Sequence, residues 1–141
     1  MTEEAAEYHK PLPAMEGMTR EFYDGCSRGE LCFQRCSGCE RLRHLPTPRC
    51  ARCGSWDWEW SPSTGRGKLV TWTVVRRPMH PDFAGDVPYA PAVIELDDGV
   101  RMVSWVVDCL PDDLRAGMRV EVVFDHVTSE VTLPKFRRLT T

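Results

Sequence analysis

The sequence predicts a mainly β fold: one short N-terminal helix, a small cysteine-bearing ribbon, then a compact five-stranded barrel of the OB type. Three observations carry this. Two C-x-x-C pairs, Cys36/Cys39 and Cys50/Cys53, stand ten residues apart. From Lys68 onward the chain turns to β-branched runs separated by turn residues. Ahead of both, Met18, Phe22 and Cys26 recur every four residues, the spacing of one helix face.

Residues 1–17 read as a flexible tail, charged at first and then marked by Pro11, Pro13 and Gly17. Residues 18–62 read as the helix and ribbon, and 63–141 as the barrel. Thr19 is a permitted N-cap, and the helix is expected to run to about Ser27 before Gly29 ends it. Such a short helix must dock to persist, on its own domain or on a partner. A strand over Glu30–Cys36 then leads into the first cysteine pair. Trp56, Trp58 and Trp60 alternate beyond the second pair, so they share one side of an extended segment. They form either a small aromatic core beneath the cysteines or a stacking surface.

The barrel strands are expected at Lys68–Arg77, Pro91–Leu96, Val100–Val107, Arg119–Val127 and Val131–Arg138. Asp97, Asp98 and Gly99 join the second and third as a hairpin. A long loop, 78–90, carries three prolines and separates the first two strands. Closure into a barrel removes the exposed edges that an open five-stranded sheet would leave.

At 141 residues, with 42% hydrophobic and 28% charged, the chain suits one ordinary domain with a sizeable core. The net charge of −3 argues against nucleic acid as the general partner. No stretch approaches the roughly 20 apolar residues of a membrane span, and no signal peptide is evident at the start. These features lead to the expectation of a cytoplasmic protein with reduced thiols. Seven cysteines, an odd number, weaken a pure disulfide framework.

Each C-x-x-C turn puts two sulfurs on one side of a tight knuckle. Two knuckles joined by a hairpin supply four thiolates at tetrahedral corners, an arrangement favoured by Zn²⁺ with Zn–S near about 2.3 Å. Cys36, Cys39, Cys50 and Cys53 are therefore the expected metal ligands. With all four positions filled by protein, the site is structural. Iron in a rubredoxin-type centre uses the same geometry. A thioredoxin-like pair needs a βαβ context, and none is visible. Arg35, Arg41, Arg43, Arg49 and Arg52 crowd the same stretch, opposed only by Glu40. They either balance the −2 charge of a tetrathiolate–dication cluster or offer a positive surface to phosphates.

The sequence holds no P-loop, dinucleotide fingerprint or nucleophile elbow. Its paired aspartates fall in turns. His80, beside Asp82 and Phe83 in the long loop, is the histidine with most interest, but no nucleophile stands near it in sequence. No catalytic residues are assigned.

The four-cysteine spacing, followed by "GRG", "TVV", "HP-x-F" and "VPY", resembles the acyl-CoA-associated OB-fold family, once known only as a domain of unknown function. The likeness covers roughly residues 18–138. It implies a rubredoxin-like zinc ribbon joined to an OB-fold, with zinc at the four cysteines. It further implies a non-catalytic accessory subunit of a thiolase-like, lipid-transfer-protein-type enzyme in a hetero-tetramer or larger assembly. The expected complex is an aldolase or thiolase of steroid or lipid side-chain degradation. The subunit is expected to stabilise that complex and to help surround a CoA thioester. On this reading Arg41 and Arg43 are candidate contacts to the CoA phosphates, and Phe22, His80, Phe83 and Tyr89 are candidate partner contacts. The alternatives are a partner of a hotdog-fold enoyl-CoA hydratase and a nucleic-acid-binding ribbon/OB protein.

Overall fold

A computed structural model describes residues 8–139; the first part of the expected tail, 1–7, lies outside the described residues. One helix, α1 (Gly17–Ser27), is followed by a ribbon of β1 (Cys32–Cys36), β2 (Leu42–Arg43) and β3 (Trp58–Pro62). The strands β4 (Arg66–Trp72), β5 (Pro91–Leu96), β6 (Arg101–Val107), β7 (Arg119–His126) and β8 (Thr132–Arg138) follow.

The helix starts earlier than the sequence suggested. Glu16, in extended backbone, takes the N-cap place, and the Arg20 N–H donates to its carbonyl. Thr19 therefore lies inside the first turn, because Gly17 (φ +58°) can make the sharp entry that a side chain would resist. Residues 8–16 are not free of the body: Lys10 pairs with Asp86 in the long loop.

In the ribbon β1 is central and pairs antiparallel with both neighbours, Arg35 with Leu42 and Gln34 with Trp60. The barrel closes in the order β4-β5-β6-β8-β7, with β4 returning to β7. Strands β6 and β8 run parallel and pair only at Val106–Phe136 and Val107–Arg137; the other barrel contacts are antiparallel. This is the OB-type closure expected from the strand pattern.

The GRG motif has a clear structural reason. At Gly67, β4 faces Leu96 on β5 and Val120 on β7 at once. A Cβ there would run into the Glu95 carbonyl, and one at Gly65 would strike Val122. Glycine lets the strand pass between two neighbours where the barrel is tightest.

Alternation then fills the interior. Ala92, Ile94 and Leu96 of β5 point inward, as do Leu69, Val120 and Phe136 from other strands. The helix and ribbon add Phe22, Cys26, Leu31 and Phe33 to this same core. Phe22 is thus 2% exposed, which corrects its expected place at a partner surface: it is spent anchoring α1 to its own barrel. Burying one such ring contributes about 1.5–3 kcal/mol. Ser27 Oγ donates to Thr132 Oγ1 (3.1 Å), which also meets His126 Nδ1 (2.7 Å), so a polar chain through the buried Thr132 fixes the end of α1 to β7 and β8.

Candidate metal centre

Two similar turns build the cysteine site. In the first, the Glu40 N–H donates to the Cys36 carbonyl (2.8 Å), and the Cys36 N–H donates to the Arg41 carbonyl (2.9 Å). In the second, the Gly54 N–H donates to the Cys50 carbonyl (2.9 Å), and the Cys50 N–H donates to the Ser55 carbonyl (2.9 Å). Each turn closes through a residue in left-handed backbone, Glu40 (φ 64°) and Gly54 (φ 80°). The first turn bridges β1 and β2; the second lies between β2 and β3 and is brought alongside by the ribbon pairing.

The result is a tight cluster of four sulfurs. Cys36 Sγ lies 3.4 Å from Cys53 Sγ, and Cys39 Sγ lies 3.7 Å from Cys50 Sγ. All four ligand atoms fall within 4.8 Å of one another. A tetrahedron with metal–sulfur bonds near 2.3 Å has edges of about 3.8 Å, so the cluster fits a metal ion of that kind.

The electrostatics point the same way. The Cys53 N–H, with others, favours the Cys50 thiolate and holds its pKa down to about 6. The Cys39 N–H does the same for Cys36, which is also lowered. At Cys53 the Ser55 N–H favours the thiolate but is outweighed by the neighbouring sulfurs, led by Cys36, so its pKa rises to about 11. Turn amides thus prepare the cluster for negative charge, while its last thiol resists ionising without a cation among the sulfurs.

The five arginines divide. Arg43 turns inward: Nε donates to Gln34 Oε1 (2.9 Å), one Nη donates to the Thr47 carbonyl (2.9 Å), and the other is buried without a partner. Arg49 donates to the Gly54 carbonyl (2.9 Å) and lies over the Trp56 ring, 5.5 Å from its centroid. Arg35 reaches Ser61. Arg41 and Arg52 are exposed. The two candidate phosphate contacts, Arg41 and Arg43, therefore differ: Arg41 faces solvent, and Arg43 ties β1 and β2 to the loop before the second knuckle.

Gln34 is the residue that motif reading passed over. It is fully buried, and its Oε1 also accepts the Thr47 N–H (2.8 Å). Gln34 lies two residues from Cys32 and from Cys36 in "CFQRC", so the strand period puts it on the side of those cysteines; that was the signal available. Of the tryptophans, Trp58 and Trp60 meet edge to face at 5.0 Å, whereas Trp56 stands 65% exposed and joins no core.

His80, Phe83 and Tyr89 come together in the long loop. His80 Nδ1 accepts the Asp82 N–H (3.1 Å) and its ring meets Phe83 edge-on. Phe83 and Tyr89 both pack on Trp105 of β6, with centroids 6.1 Å and 4.7 Å away. Lys135 covers Trp105 at 5.2 Å. The aromatic loop is thereby held to the barrel, and all three residues are half-buried. Among the described residues no helix is long and apolar enough to cross a membrane.

Fold and site together define a class: a four-cysteine ribbon, able to hold a metal, joined to an OB-type barrel. The family described as ChsH2, C-terminal OB-fold domain, matches residues 60–125. A DUF35 domain-containing scaffold protein from Methanocaldococcus jannaschii is 34% identical over 68% of this chain and 68% of its own length. The chain belongs to the DUF35 family. A solved chain of the Ltp2–ChsH2(DUF35) aldolase superposes with a TM-score of 0.81 at 35% identity, covering 90% of this chain and 98% of that one. A probable enoyl-CoA hydratase alpha subunit from Thermomonospora curvata is 35% identical over 96% of this chain, which spans only 42% of that subunit's length.

Proposed function

We propose that this chain is a non-catalytic accessory subunit of a thiolase-like acyl-CoA enzyme, holding the complex together and helping to form its CoA site. The carrying observation is the likeness, across nearly all of both chains, to the DUF35 component of the Ltp2–ChsH2 aldolase. The fold supports it: the four sulfurs supply a full tetrahedral ligand set for one metal ion, and the OB-type barrel follows directly on the ribbon. The reaction proposed for the complex is aldol cleavage or thiolysis of a CoA thioester bearing a steroid or lipid side chain. Zinc is the proposed metal, held by Cys36, Cys39, Cys50 and Cys53 in a structural role. Arg41 is the better proposed contact to a CoA phosphate, since Arg43 is engaged internally. The exposed edges of His80, Phe83 and Tyr89 are the proposed partner contacts, in a cytoplasmic hetero-tetramer or larger assembly.

Co-expression with a thiolase-like enzyme from the same organism tests this. A stable complex is expected, with aldol-lyase or thiolase turnover that requires both chains. Full turnover by the enzyme alone, with no complex formed, would remove the scaffold reading. A hydratase partner is the second reading, favoured by the alignment of 96% of this chain with a hydratase subunit. Co-purification with a hotdog-fold hydratase instead would select it. Nucleic-acid binding has less support, because Arg101, Arg119 and Arg137 on the barrel each pair with a carboxylate.

A further inference from the structure

A cavity of about 290 Å³ opens where the N-terminal segment, α1, the ribbon loop and the barrel meet. Its position follows from the topology. Strands β6 and β8 pair along the main chain only at their far ends; ahead of that pairing Ser104 Oγ donates to the Pro134 carbonyl (2.8 Å), and Met102–Trp105 and Leu133–Lys135 line the cavity. The larger part of its wall is apolar, from Leu45, Phe83, Met102, Val103, Trp105 and Pro134. Leu45 and Val103 are 70% and 69% exposed, so its lining includes large apolar side chains open to solvent.

Tyr23 and His44, on this lining, have no hydrogen-bond partner among the described residues. The Tyr23 ring packs edge-on against Phe22, and its hydroxyl makes no protein hydrogen bond. The His44 ring is wedged between Phe22 (4.9 Å) and Phe33 (5.7 Å), and neither nitrogen is paired. Neither group is among the side-chain atoms sealed from solvent, so both are open to a molecule entering the cavity. The charges that line the same cavity are already balanced, Lys10 by Asp86 and Lys135 by Asp125 (2.6 Å). Burial also keeps His44 neutral, with a pKa lowered to about 4.

We propose that this cavity binds an uncharged, mostly apolar molecule, aromatic or alicyclic, whose carbonyl or hydroxyl oxygen hydrogen-bonds to Tyr23 and His44. A few convergent polar groups in an apolar concavity of this size are the usual make-up of a small-molecule site. The balanced lysines disfavour an anion, which would have to displace Asp86 or Asp125. Every residue of the lining comes from this chain, so the cavity is present without an enzyme partner.

The test uses the full metal-loaded chain without a partner and the aromatic ketone prodan as probe. Saturable binding is expected, with a blue-shifted emission and energy transfer from tryptophan. Tyr23→Phe keeps the ring and should weaken binding about three- to tenfold, the worth of one hydrogen bond. Val103→Trp, at an exposed position that folding does not need, should obstruct the cavity and reduce binding at least as much. Thermal melts confirm that both variants fold. The proposal fails if prodan does not saturate, or if either variant binds it as the native chain does. It also fails if the anionic naphthalene probe ANS binds more tightly than prodan and is indifferent to Tyr23→Phe. None of these outcomes bears on the scaffold reading, which is decided by complex formation.

Discussion

Glu40 and Gly54 occupy equivalent places in the two knuckles: each donates its N–H to the carbonyl of the cysteine four residues before it, in left-handed backbone. Only one of them is glycine. A side chain in this region costs roughly 1–2 kcal/mol, so the first knuckle carries a strain that the second avoids. Glu40→Gly is expected to raise stability by about 0.5–1 kcal/mol. Gly54→Ala is expected to lower it by at least about 1 kcal/mol, because its Cβ would also press on the Arg49 guanidinium at 3.1 Å. Denaturant midpoints at equal metal content check both signs.

Losing one sulfur should undo the centre. Even residues that only support metal ligands cost 10- to 100-fold in affinity when changed, so Cys39→Ser or Cys50→Ser should weaken metal binding by more than about 100-fold. Metal analysis of the purified variants should fall from one ion per chain to near none. The ribbon should then lose its amide protection ahead of the barrel, since metal binding is folding energy for such a small unit. A native chain that is colourless with zinc supports the zinc assignment; a red, iron-loaded chain overturns it.

Burial of His44 sets an acid limit. Its folded pKa is lowered to about 4 by desolvation, against a usual 6.5. Between these values the unfolded chain binds the proton and the folded chain does not, so stability falls as pH drops from about 6.5 towards 4. The full loss is on the order of 3 kcal/mol. His44→Phe should remove that part of the pH dependence. Denaturation of both chains at pH 7.5 and 5 gives the difference; parallel curves would show that His44 is not the group responsible.

Much of this architecture was legible because local chemistry and tertiary need agreed. The Asp97–Gly99 turn joins β5 to β6 as the expected hairpin, Glu95 facing Arg101. The four cysteines converge as their spacing required. The less legible parts depend on what lies across space. Nothing in "FYDGC" says that Phe22 faces the barrel and Tyr23 a cavity, since neighbours on a helix diverge by about 100°. Trp105 reads as one more strand residue until the long loop folds back and places Phe83 and Tyr89 on it. The arginines were equal by sequence; hydrogen-bond partners from Gln34 and Thr47 separate them.

That separation yields a paired test of the CoA contact. Arg43→Glu puts an acid where the guanidinium now meets Gln34 and Thr47, and leaves Gln34 Oε1 beside a like partial charge. Disrupting a buried charged network of this kind costs about 3 kcal/mol or more, so this variant should melt early whatever the ligand. Arg41→Glu lies on an exposed surface and should stay within about 0.5 kcal/mol of the native stability. If Arg41 meets a CoA phosphate at the partner interface, the assembled complex should lose a charge-assisted hydrogen bond worth about 1.5–3 kcal/mol. That loss appears as a KM for acyl-CoA raised about 10- to 100-fold, with complex formation intact on size-exclusion chromatography. An unchanged KM in a stable Arg41→Glu complex would take the phosphate contact away from this arginine and leave it as a neutraliser of the cysteine cluster.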